Sequence, residues 1–262
     1  MHLLLAAILL SCKTEEPEHV HQWGKWGVAT AATETVNGSQ ARTCPDCGET
    51  ETRVLYATGT AGLVIDILTN RVHNGGDRTF TAVHIPAARY DSDGNPWFIR
   101  GIGNDTNTGA SNAFGGTNVS DTITYNDALT TVTFAAESQI TSISGYAFSY
   151  CSNLTSITLP ASVTSIGSNA FNSCTGLTSI TLPASVTEIN SQAFGFCTSL
   201  TSVTFEGTIS SSGLYDFDTY AFGGMGDLRA KFYATDSDNG TPGTYTRSGS
   251  GATEDPYVWT KQ

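Results

Sequence analysis

Residues 151–173 read CSNLTSITLPASVTSIGSNAFNS, and residues 174–196 read CTGLTSITLPASVTEINSQAFGF. Laid over each other without gaps, the two stretches are identical at 16 of 23 positions. The period runs on at both ends, with Ile140–Ile143 closing an earlier unit and Cys197–Phe205 opening the next. Within a unit, Leu154, Ile157 and Leu159 form the apolar teeth of an L-x-x-I-x-L segment, Val163 and Ile166 follow, and Ala170–Phe171 close the turn. One such unit cannot bury its own apolar face. Stacking lets the strand of each unit pair with the next at about 4.8 Å and builds a continuous core. The fold class expected is therefore mainly β: a short right-handed leucine-rich-repeat solenoid of 23-residue units.

Working outward, the repeat degrades. His84–Ala87, Trp97–Gly103 and Asn112–Phe114 read as a divergent opening unit with inserted loops, and Trp97 is placed in a loop before a strand. Gly213–Phe222 makes a longer unit that again ends in Tyr-Ala-Phe. Terminal units are expected to differ, because one face meets water instead of a neighbour. After the turn-rich Gly240–Gly243, the segments Tyr245–Arg247 and Tyr257–Thr260 are expected to pair around a Ser/Gly loop as a C-terminal strand cap. Pro160 and Pro183 follow their strands, where a missing N–H does least harm.

The spacing IxLPxSVTxIxxxAFxxCxxLxxIxLP resembles the BspA-like leucine-rich repeats of bacterial surface proteins, over roughly residues 80–230. The resemblance implies a secreted or surface-attached protein with a role in adhesion, acting as an adhesin or protein-interaction scaffold. Two alternatives are a structural envelope protein with no specific ligand and, more remotely, a carbohydrate-active enzyme accessory protein. A second resemblance covers residues 19–56, which are similar to a small His/Cys module found beside such repeats, with His19 where the common form has Cys and Glu34 where it often has another.

The first residues, MHLLLAAILLSCKTEEPE, carry an apolar run from Leu3 to Leu10 that is too short to span a bilayer, which takes about 20 residues. It reads as a signal peptide, residues 1–11, although only His2 precedes the run where Lys or Arg is usual. Leu9-Leu10-Ser11-Cys12 resembles the bacterial lipobox, which implies cleavage before Cys12 and acylation of its sulfur; an ordinary secretory signal with an incidental Cys is the plainer reading. The organisation expected is a lipid-anchor linker over 12–18, the His/Cys module as a small β unit over 19–57, the solenoid over 58–235 and a tail or hairpin over 236–262. The chain is expected at the bacterial surface or outer envelope, held to the membrane only by its anchor.

Charge narrows the partners. Only 14% of residues are charged and the net charge is −12, which argues against nucleic acid, whose binding depends on clustered Lys and Arg. Glu188 is the sole charged residue between Cys151 and Phe205. An extracellular protein or glycan is the expected ligand, and Thr133, Thr158, Thr181 and Thr204, set between the apolar teeth of successive strands, are the expected contact row. Thr also simply suits solvent-facing strand positions. No nucleophile–base pattern or phosphate-loop motif is present, so no catalysis is expected.

His19, His21, Cys44 and Cys47 form a His2Cys2 set of the kind that holds structural zinc, and a metal would supply stability that a stretch this short cannot build from a core. Outside the cytoplasm Cys44 and Cys47 can instead form a disulfide or remain thiols. Cys151, Cys174 and Cys197 are expected to form a buried thiol ladder. Asp91–Asn95 and Asp236–Gly240 lack the Gly and acidic positions of a calcium loop and are read as turns.

Overall fold

The computed structural model describes residues 22, 24–25, 27–34, 36–55, 59–61, 63–66, 71–73, 79–90, 96–103, 113–114, 117–119, 122–124, 126–213, 216–253 and 256–262. An antiparallel sheet of β1 (Gly27–Thr30), β2 (Gly38–Thr43) and β3 (Thr50–Leu55) leads the chain. The hairpin β4 (Val64–Asp66) and β5 (Arg71–His73) follows. The solenoid's opening strands are β6 (Ala82–Ile85) and β9 (Gly101–Ile102), with the hairpin β7 (Ala88–Tyr90) and β8 (Pro96–Phe98) between them. Trp97 thus lies in a hairpin strand and not in a loop; it is 44% exposed. A second inserted hairpin, β10 (Thr117–Val119) and β11 (Thr122–Thr124), precedes the regular units.

Each regular unit then contributes one strand to each of two faces. The first face takes β12 (Thr131–Phe134), β14 (Ser156–Ile157), β16 (Ser179–Leu182) and β18 (Ser202–Phe205); the second takes β13 (Ser142–Ile143), β15 (Ser165–Ile166) and β17 (Glu188–Ile189). Pairing along both faces is parallel and in register, as Thr181↔Thr204 and Ile166↔Ile189 show. A third side is a ladder of turns, in which Phe148 N–H donates to Ala170 O at 2.7 Å and Phe171 N–H to Ala193 O at 2.7 Å. Every side of the unit is therefore hydrogen-bonded to its neighbour, as buried backbone requires.

Side chains inside face their own equivalents. Phe114, Phe148, Phe171, Phe194 and Phe222 stack nearly parallel, with centroids 5.4, 5.2, 5.2 and 4.9 Å apart. Beside them Cys151, Cys174 and Cys197 are fully buried thiols, not bridged, whose Sγ–H groups point at the carbonyls of Phe114, Phe148 and Phe171 at 3.4, 3.1 and 3.1 Å. Burial pushes the Cys197 thiol up to about 12 and holds Cys151 and Cys174 well above the ordinary range, so all three remain protonated hydrophobes.

Both ends are closed. At the C-terminal end α1 (Leu228–Phe232) buries Leu228 and Phe232, and β19 (Gly243–Ser248) pairs antiparallel with β18 and with β20 (Val258–Lys261). This is the expected strand cap, pinned by buried Tyr245 and by Trp259, whose Nε1–H donates to Met225 O at 2.6 Å. Asp236–Gly240 is the turn the sequence suggests: Asp236 Oδ1 accepts from the backbone of Asp238 and Asn239, and these bonds hold its carboxyl below the usual value. At the other end Thr60 covers β6, its N–H donating to His84 O at 2.9 Å while its Oγ1 accepts from His84 N–H at 2.7 Å.

Phe171 has a ring on each side and no route for collapse, so Phe171→Ala is expected to lower stability by about 3–5 kcal/mol. Chemical-denaturation midpoints check this, and a loss under ~1 kcal/mol, the size of an average substitution, would show that the stack contributes little.

Candidate functional site

On the first face the strands alternate strictly, with Val132, Ile157, Ile180 and Val203 buried and the residues between them turned outward. Thr133, Thr158, Thr181 and Thr204 occupy these outward positions in one transverse row. Thr158 bridges to Thr181, Thr181 pairs with Thr204, and the pairing of Val132 with Ile157 sets Thr133 beside Thr158. Thr133, Thr158 and Thr181 are exposed, while Thr204 is half-buried because Thr244 of the cap lies against it, the two hydroxyls sharing a 2.9 Å hydrogen bond. A parallel row of Thr131, Ser156, Ser179 and Ser202 doubles the hydroxyl surface.

The row begins at His84, paired with Thr133. His84 is 8% exposed, and its Nδ1 lies 2.9 Å from Thr133 Oγ1. Thr133 Oγ1 also lies 3.4 Å from Val83 O; with the hydroxyl donating there, Nδ1–H would be the donor to Thr133 and Nε2 the unprotonated ring nitrogen. Among the described residues that buried nitrogen has no partner. Burial lowers the His84 pKa, opposed by the Glu34 carboxylate, which is held by Thr60 Oγ1–H at 2.6 Å.

A groove of about 410 Å³ opens beside Thr133 and Thr158. Its cause is a break in the period. Val132 pairs with Ile157, 25 positions on, but Ile143 pairs with Ile166, 23 positions on, so two extra residues lie between β12 and β13. The longer loop parts from its neighbour, and the gap has an apolar floor of Phe134, Ala135, Leu159 and Pro160. Ser162 ties its far wall, Oγ–H donating to Ile140 O at 2.7 Å. The inserted Glu137 accepts from Asn37 Nδ2 at 2.9 Å. Sequence reading missed this site; the signal was the two-residue surplus between Phe134 and Ser142, visible only once the strands are paired.

In the N-terminal sheet the C-x-x-C segment forms one tight turn. Cys44, at its start, is buried, and its N–H donates to Glu49 O at 2.9 Å, while Cys47 is exposed. Gly48 has φ +74°, the left-handed conformation the turn needs. A backbone hydrogen bond from Glu49 lowers the Cys47 thiol pKa, but desolvation and the neighbouring Cys44 thiol outweigh it and the value is raised. His19 and His21, and also Cys12 and Asp91–Asn95, lie outside the described residues. Among the described residues no three His, Cys, Asp or Glu side chains converge as a metal site.

The model of the BspA type leucine rich repeat region matches residues 107–231 in six copies. Among solved structures, the chain is similar to the leucine-rich repeat protein of T. pallidum, with 23% identity over 54% of this chain and 66% of that one and a TM-score of 0.37. It is also similar to a leucine-rich repeat protein from Bacteroides ovatus (23% identity, 62% and 49% covered, TM-score 0.36). A third match is a leucine rich cell surface protein from Faecalibacterium prausnitzii (19% identity, 60% and 56% covered, TM-score 0.25). The chain spans 49% to 66% of the length of these proteins. No curated protein matches the sequence.

His84 supplies a pH test of the seam. Its folded pKa lies below the ordinary 6.5, so the unfolded chain binds the proton more readily. Its contribution to stability is complete above 6.5 and falls as pH drops from there toward the depressed folded value. Between pH 7.5 and 5 the melting temperature is expected to fall more for the native protein than for His84→Gln, which removes the titrating group. Equal slopes for the two would sink the assignment.

Proposed function

Residues 107–231 belong to the BspA-type leucine-rich repeats, and on that premise we propose that the protein is a bacterial surface adhesin, an interaction scaffold held to the membrane by acyl chains on Cys12. The observation that carries the reading is the first face: two transverse rows of hydroxyls, with Thr133, Thr158 and Thr181 exposed, interrupted by a groove with an apolar floor. Hydroxyls that donate and accept, beside an apolar recess, suit an extracellular protein or glycan that is recognised by shape and hydrogen bonding.

The rest of the molecule is consistent with a scaffold. The buried thiols are protonated, and the His84 imidazole is enclosed at the head of the row. Among the described residues no helix is long and apolar enough to cross a membrane, so attachment in this reading falls to the acylated Cys12. Several chains on one residue anchor firmly where one alone is marginal.

Two experiments test the proposal. In cells, Cys12→Ala is expected to release the protein from the membrane fraction and abolish labelling by a clickable fatty acid; retention with label intact would refute lipid anchoring. The purified chain carrying Cys12→Ser is expected to bind saturably to at least one member of a panel of extracellular-matrix proteins and glycans. Thr158→Glu or Thr181→Glu should abolish that binding while moving stability by no more than about 0.5 kcal/mol, as for other exposed positions. A blank panel with a folded sample, or binding indifferent to both changes, would overturn the assignment of this face.

A further inference from the structure

The turn side of the solenoid carries a second recurring feature. Among the described residues, six other than glycine hold left-handed backbone: Tyr146, Tyr150, Asn169, Ser173, Gln192 and Phe196, with φ from 56° to 61°. They fall two residues before and two residues after the stacked Phe of each unit. For a residue with a Cβ this conformation costs about 1–2 kcal/mol, and Gly or Asn is the inexpensive choice. The final unit makes that choice, with Gly224 at φ +77°. The second series nonetheless runs Tyr150, Ser173, Phe196, placing bulky aromatics where they are least favoured.

Core packing does not account for the ring of Phe196. Phe196 is 55% exposed and lies over Gly224, where a built Cβ would meet its ring carbons at 3.6 Å. Tyr220 is 63% exposed, and Tyr146 and Tyr150 are half-buried. Consecutive members are locked by Tyr150 N–H to Asn172 O at 2.8 Å, Ser173 N–H to Gly195 O at 2.8 Å and Phe196 N–H to Gly223 O at 3.1 Å. The fixed backbone leaves only the side-chain torsions of these rings to be ordered on binding.

We propose that this edge is a binding platform for a linear neutral polysaccharide of pyranose units, with Tyr150 and Phe196 stacking on alternate sugars and Ser173 facing the sugar between. The spacing supports it: the underlying rings advance by 5.2 Å per unit, close to the length of one extended sugar residue. An extended peptide rises only about 3.3 Å per residue and keeps no such phase. Pyranose rings have apolar C–H faces that aromatic rings cover. Charge selects the class of polysaccharide. The segments 146–150, 168–173, 191–196 and 220–224 contain no charged residue, and the chain's net charge of −12 disfavours sulfated or uronic-acid polymers. This platform stands on a different side from the threonine face and does not depend on it.

The test uses the full chain with Cys12→Ser in affinity electrophoresis and calorimetry against a mixed-linkage β-glucan, an α-mannan, a galactan and, as the anionic control, hyaluronan. At least one neutral polymer should retard the protein and hyaluronan should not. Phe196→Asn and Tyr150→Asn should each weaken binding about tenfold or more, the loss of one stacked ring. Because Asn is at ease in left-handed backbone, both should keep a melting temperature at or above that of the native protein. Thr158→Glu should leave this binding intact, which separates failure here from failure of the threonine face. Retardation by none of the neutral polymers, retention by the Asn variants, or a lowered melting temperature in Phe196→Asn, which would make its ring a packing element, would each overturn the proposal.

Discussion

The constraint on which the structure depends is that every interior side chain must pack against its own copy one unit away. A ring that stacks at 5.2 Å satisfies this, and Phe148, Phe171 and Phe194 do so with interplanar angles of 12° and 3°. A thiol satisfies it too, being small enough to stack and able to donate weakly to the carbonyl above, as Cys174 does toward Phe148 O. Larger or branched residues at these places would have to repack in every unit at once. The same constraint keeps the two strand faces and the turn ladder in step, since all three are hydrogen-bonded to the same neighbour.

The deviations follow from it as well. Extra residues cannot enter the stacked interior, so they emerge between strands. The opening unit carries them as β7–β8 and β10–β11, and the following unit as the two residues between β12 and β13. A hairpin insertion pairs with itself and leaves the stack alone. A two-residue insertion is too short to do so, and it parts neighbouring loops and leaves a groove. The recess beside Thr158 is thus a consequence of chain length at one point, on a face otherwise as regular as the repeat.

Much of this was legible in the residues. The 23-residue period, the apolar teeth, the buried cysteines and the terminal hairpin all rest on local pattern, and the period itself marks which residues must meet. What was not legible depends on pairing across the chain. Val132 must be set against Ile157 before the surplus of two appears, and His84 must be set against Thr133 and Thr60 before its enclosed imidazole can be recognised. Trp97 was misplaced because three residues of strand in a divergent unit, Pro96–Phe98, carry too little alternation to register. The left-handed positions were hidden for a different reason: Tyr and Phe are among the last residues that turn chemistry would place there.

Repetition also dictates the chemistry of the outer surface. A charged residue at a repeated position would meet its own copy about 4.8 Å away on both sides, and like charges directly opposite across strands destabilise the pair. Threonine, serine, asparagine and exposed aromatic rings carry no such penalty. Glu188 occurs in one regular unit only; the preceding unit sets Ser165 beside it, and it meets an acidic neighbour, Asp216, only where the regular units give way to the longer closing unit. The net charge of −12 is accordingly carried largely outside the regular units. A solenoid built under this rule presents hydroxyls, amides and ring faces laid out at the unit spacing. The regular units then carry few charges with which to steer a partner from a distance, and what they offer at contact repeats with the unit.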